Sequence, residues 1–177
     1  MSESENWQPP TPPTFGAEFT APIHQEQRAG FGIRFLAYIC DQICVLPIAI
    51  ILVGVPYGII YDSPILLLSD GVPALFLALV VLERIISSVV LGYWIGSAGG
   101  SPLRIRLGVY VVDENNGSFI GTMRGIYRVA FANSLGTIGA FISFLYLFTL
   151  LDHISMLWDP NKQTWHDKVA KSVVVKR

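Results

Sequence analysis

The sequence predicts an all-α integral membrane protein, a small helical bundle of three to four transmembrane segments with a small cytoplasmic β-hairpin element. Three observations carry this. Hydrophobic residues make up 52% of the 177 residues and charged residues 14%, with a mean hydropathy of +0.52, far more apolar than a soluble domain of this length needs. Apolar runs long enough to cross about 30 Å of hydrocarbon recur along the chain. The lysines and arginines lie in short clusters beside those runs, as the positive-inside tendency leads one to expect.

The first element, residues 1–27, is read as a disordered proline-rich tail. Five prolines among its first 22 residues, with Ser, Thr and Glu around them, oppose a regular core. The segment has no basic region followed by a short apolar core and a small-residue cleavage site, so it does not read as a secretory signal. Residues 28–177 form the second unit, a multi-pass membrane domain.

Its first span covers residues 35–60, in which Asp41 is the one charged side chain. A straight helix of that length would extend about 39 Å, more than the hydrocarbon layer needs, so tilt or a kink at Pro47 or Pro56 is expected. Cys40 and Cys44 share one face of this helix and read as small packing residues, not as a disulfide or metal framework. The link at 61–71 carries two aspartates and no basic residue, which reads as non-cytoplasmic and places the N-terminus inside. The second span, residues 72–95, carries Glu83 and Arg84 near its midpoint and leaves the membrane at Tyr93 and Trp94, an aromatic pair suited to the interface.

In "LRIRLGVYVVDENNG" an alternating run gives way to turn residues, which predicts the β-hairpin. Arg104, Arg106, Arg124 and Arg128 around it agree with a cytoplasmic position. Residues 129–151 carry no charge. Two arrangements fit: a re-entrant helical hairpin turning near residues 134–139, or an interfacial helix over residues 124–136 followed by one crossing. The basic tail and its β-prone "SVVVKR", a candidate third strand for the hairpin, favour the first.

An acid inside an apolar span is expensive and should face protein or a watery cavity. Arg34 and Asp41 fall on nearly the same helical face, but about 10.5 Å apart along the axis, too far for a simple ion pair. Arg84 is a candidate partner for Asp41 across the helices, with Glu83 turned toward Ser87 or another helix. These charges either fix the register of the bundle or line a pathway in which a buried carboxylate takes up and releases a proton as a cation withdraws or approaches. His153 beside Asp152 reads as an interfacial cap or a relay, and His166 beside Asp167 falls in the polar tail. Neither pair has the spacing of a catalytic triad or zinc site, and "GSAGGSP" lacks the lysine of a phosphate-binding loop. No enzyme, cofactor or metal is expected. A net charge of −1 gives no basic footprint for nucleic acid.

Three ordered motifs resemble the RDD family of membrane proteins, named for an arginine and two aspartates. "AGFGIRFLAYICDQI" is similar to its first-helix signature, with Arg34 at the helix start and Asp41 inside. "GGSPLRIRLGVYVVDENNG" resembles the loop after its second helix, with Leu103-Arg104 where Gly-Lys is usual. "TWHDKVAKSVVV" is similar to its C-terminal segment, with Asp167 as the other named aspartate and Lys171-Ser172 where Gly-Thr is common. The resemblance implies a multi-pass domain for which transport has been suggested, and an Asp167 able to meet Arg34 or the loop arginines at the membrane boundary. The sequence-based expectation is therefore a protein of a bacterial cytoplasmic membrane that moves protons or small cations past Arg34, Asp41, Glu83, Arg84 and Asp167. The alternative is an accessory or scaffold subunit of a larger complex. So short a chain makes a thin wall for a pathway, so homo-oligomers or partner membrane subunits are expected in the lipid bilayer.

Overall fold

The computed structural model describes residues 28–61, 71–141 and 146–177. The proline-rich segment and most of the acidic link therefore lie outside the described residues. Helix α1, Phe31–Ala49, passes Pro47 and continues through a wide π turn, Ile50–Gly54, into α2, Val55–Tyr61. The expected adjustment is thus a widened turn between Pro47 and Pro56, where two missing backbone donors interrupt the regular ladder. Helix α3, Gly71–Ala98, is followed by a short α4, Pro102–Arg106, and by β1, Val109–Asp113. Then come α5, Thr122–Phe141, α6, Tyr146–Ile154, a 3-10 turn at Ser155–Leu157, α7, Trp165–Val169, and β2, Ser172–Lys176. Two helical stretches, Phe31–Ile60 and Ala74–Arg106, are long and apolar enough to cross a membrane, and a shorter apolar one covers Leu147–Leu157.

The closest helix pairing is α3 against α5, and glycines make it possible. A Cβ at Gly92 would lie 2.5 Å from Ile126 Cα, one at Gly96 2.6 Å from Thr122 Cα, and one at Gly125 2.8 Å from Gly96 N. Gly92 and Gly96 thus face Gly121 and Gly125, two small-xxx-small pairs that let backbones approach. The tightest apolar core, including Ala37, Leu91, Ile95, Val109, Val111, Val129 and Val174, lies where these helices meet the sheet. Farther along α1, Phe35, Ile43, Ile50 and Ile51 are exposed, as a lipid-facing surface requires.

The sheet differs from the expected hairpin. Among the described residues β1 pairs antiparallel with the C-terminal β2, Val111 opposite Val174, and Arg28 bridges to Val175 on the other side of β2. Asp113 does start a turn, its Oδ1 accepting from the backbone N–H of Asn115 at 2.8 Å, but the chain then enters α5 instead of a returning strand. The β-prone tail is therefore the partner strand, not a third one.

The uncharged run also differs from expectation. Residues 134–139 are helical within α5, so no turn occurs there, and residues 142–145 lie outside the described set. The start of α5 and the end of α6 both adjoin α7: Arg124 donates to Ala170 O, and Asp152 accepts from the His166 N–H.

Lys171, between α7 and β2, has φ 48°, a left-handed conformation that costs an L-residue about 1–2 kcal/mol. This is the position at which the resemblance expects glycine. Lys171→Gly is accordingly expected to raise the unfolding free energy by up to about 1 kcal/mol after glycine's own entropy cost. An unchanged or lower unfolding temperature in detergent would refute that account.

Candidate functional site

Residues of α1, α3, α4, α5, α6 and α7 line an open cavity of about 430 Å³, with Arg34, Asp41, Arg104, Arg128, Thr149, His153 and His166 among them. Its charges form two groups. In the first, Asp41 on α1 accepts from Arg104 Nη1 at 2.7 Å, and both side chains are buried. Arg104 reaches this place because Ser101 caps α4, accepting from the Arg104 N–H at 3.3 Å, with Pro102 at the first helical position as helix starts favour. The short helix packs on α1 and turns its own Arg104 inward.

Asp167 organises the second group. Its Oδ1 accepts from Arg128 Nη2 at 2.6 Å and Nε at 3.0 Å, and its Oδ2 accepts from Arg34 Nη1 at 2.9 Å. The same carboxylate closes a capping box with Thr164 at the start of α7, which fixes its rotamer. Arg34 also donates to Ala29 O at 3.0 Å and Lys162 O at 2.7 Å, joining the start of α1 to the C-terminal segment. Burial by itself opposes ionisation of Asp167, but the positive charges of Arg128 and Arg34 outweigh it and hold the carboxyl well below the usual carboxylate range.

His166 lies between Asp152 and Asp167. Its Nδ1 lies 2.6 Å from Asp152 Oδ2 and its Nε2 3.8 Å from Asp167 Oδ1. Burial and the Arg128 charge push its pKa below the ordinary value of 6.5, against the pull of Asp152 and Asp167. The ring is thus neutral near pH 7 with Nδ1–H donated to Asp152. His153 stacks edge-on with Tyr38 of α1 at 5.4 Å and lies 5.8 Å from the His166 ring. Asp152, His153 and His166, which the sequence leaves in two separate dipeptides, are therefore one cluster, with the two rings on the cavity wall and Asp152 buried behind them.

The predicted cross-helix pair of Arg84 with Asp41 is not formed. Arg84 Nε lies 3.3 Å from its neighbour Glu83, with its side chain 48% exposed, because successive helical residues point about 100° apart and this one faces outward. Glu83 does turn to Ser87, whose hydroxyl donates to it at 2.7 Å. The structure thus brings Arg34 to Asp167 and Asp41 to Arg104, and leaves Glu83 and Arg84 together on α3, off the cavity wall. Three buried polar atoms of that wall lack a hydrogen-bond partner among the described residues: Asp41 Oδ1, Arg104 Nε and Thr149 Oγ1. The cavity has room for several waters, which could satisfy these polar atoms on its otherwise largely apolar wall.

The sequence model of the RDD family matches residues 28–171. The chain belongs to the RDD family. No curated protein and no solved structure matches it. Membership and the long apolar helices make it a membrane protein, mostly helical. Within this RDD chain the departure at Leu103-Arg104 keeps a cation where the family usually has lysine, and that cation is the one that meets Asp41.

Proposed function

We propose that this protein is a multi-pass component of a bacterial cytoplasmic membrane that moves protons, in exchange for a small cation, with Asp41 as the exchange site. The observation that carries the reading is a buried carboxylate with one oxygen unbonded, Asp41 Oδ1, on the wall of a cavity and with its other oxygen 2.7 Å from a single cation, Arg104. Among the described residues Arg104 is the one charge partner that an exchanging Asp41 would release and take back. Cavity water would connect Asp41 to His153 and His166, and Tyr38 against His153 would narrow the gap between α1 and α6. Asp167 in this reading holds the frame: its charge is compensated twice, which suits a fixed strut better than an exchanging site.

The test is proton movement in proteoliposomes driven by a sodium or potassium gradient, followed by a trapped pH dye. Wild-type protein is expected to exchange, and an Asp41→Asn variant with an unchanged circular dichroism spectrum to lose at least tenfold of the rate. No flux with wild-type protein, or equal flux in the folded variant, would remove Asp41 as an exchange site. The accessory-subunit reading would then stand in its place.

A further inference from the structure

We propose that a second copy of this chain docks against the outer face of α3 and α5, over a groove that has Arg84 on its wall. The inference requires α3 to cross the bilayer and is independent of proton exchange. Arg84 is about 20 Å from either end of α3 at 1.5 Å per residue, which puts a guanidinium at mid-depth, and it is half exposed. Lipid tails offer it no acceptor, and the nearer interface is too far for the side chain to reach. Glu83 engages its Nε; among the described residues no hydrogen bond reaches the terminal nitrogens.

The surface around it fits a copy of itself. The groove, about 320 Å³, is walled by Ser88, Ala130, Ser134 and Thr137 together with Val81 and Ile85, small enough on the α5 side for a helix to approach closely. Beside it Val81, Ile85 and Val89 form an exposed ridge at four-residue spacing, the shape that packs into such a groove. Ser134 donates its hydroxyl to Phe131 O at 2.8 Å and Thr137 donates to Asn133 O at 2.9 Å, so both oxygens keep lone pairs for an incoming donor. Because α3 and α5 run antiparallel from the contact of Gly92 with Ile126, Arg84 and Ser134 lie at the same depth. A two-fold axis along the membrane normal preserves depth, so it would bring Arg84 of one copy to the Ser134 and Thr137 hydroxyls of the other, twice.

Full-length protein in lipid nanodiscs and liposomes, counted by stepwise photobleaching, is expected to be dimeric. In a Cys40→Ala/Cys44→Ala background, Ile85→Cys should crosslink between copies and Ile43→Cys, exposed on α1, should not. Ser134→Trp, which fills the groove, should weaken the dimer at least tenfold, and Arg84→Leu gives the same readout should the tryptophan variant not fold. Monomers at all protein-to-lipid ratios, crosslinking through Ile43→Cys alone, or folded groove variants that dimerise as the wild type does would each overturn the proposal. So would wild-type monomers bound to a different protein at this face.

Discussion

Asp167→Asn is expected to be the most damaging conservative substitution in the chain, lowering the unfolding free energy by roughly 3–5 kcal/mol, the range for removing one partner of a buried ion pair. The side chain keeps its shape, and its amide oxygen can still accept from Arg128. Its amide nitrogen, however, must then face both Arg34 Nη1 and the Thr164 N–H, donor against donor, where the carboxylate Oδ2 accepted both. Two buried guanidiniums are left with no counter-charge beside them. A contrasting variant fixes the scale: Asp113 pairs with Arg124 at 2.6 Å, but that arginine side chain is 37% exposed, so Asp113→Asn is expected to cost about 1 kcal/mol or less. Unfolding of both variants in nanodiscs, by heat or denaturant, measures the difference. Equal small losses would mean that Asp167 does not organise the junction.

The same site sets an acid limit on stability. Asp167 has its folded pKa depressed below the unfolded value of 3.8, so its contribution is fully present above about that pH and is lost as pH falls below it. His166 is also depressed, from 6.5. Its burial in the neutral form therefore favours folding above pH 6.5 and opposes it progressively as the unfolded chain takes up the proton. Both effects point the same way, toward loss of the α7 junction on acidification and none between neutral and mildly alkaline pH.

How much of this is legible without the fold depends on sequence distance. Apolar runs show the spans, because hydrocarbon imposes a length, and Glu83 with Ser87 is readable because helical neighbours lie four residues apart. Asp167 with Arg34 comes within reach only through the family pattern, since no local periodicity links residues so far apart. Arg104 is easily misplaced: "LRIRL" alternates like a strand, while the stronger signal, Ser101 as a cap with Pro102 behind it, marks a helix start. The β1 partner cannot be chosen locally either, because "DENNG" specifies a turn without specifying the element beyond it. The glycines of "GYWIG" and "GTMRG" are visible as small-xxx-small pairs and predict a close helix contact. Which helices they join has to come from the structure.

Asp41 and Arg104 provide the test that separates a strut from a working site. Each is buried and each is the other's ion-pair partner, so Arg104→Met alone leaves a carboxylate uncompensated in a low-dielectric setting, and Asp41→Leu alone leaves a guanidinium. Either single change is expected to destabilise by roughly 3–5 kcal/mol, whereas the double variant, with two apolar side chains of comparable volume, should recover most of that loss. A double variant as unstable as the two losses added would show that the residues do not act as a pair. The orphaned Asp41 Oδ1 and Arg104 Nε sharpen the expectation, because removing both side chains also removes two buried polar atoms that the protein leaves to water. The recovered protein then carries the functional question without the folding one. If Asp41 exchanges protons, the stable double variant is inert in proteoliposomes. If it still moves protons at the wild-type rate, the pair is a strut and the exchanging group lies elsewhere on the cavity, with His153 and His166 next in line.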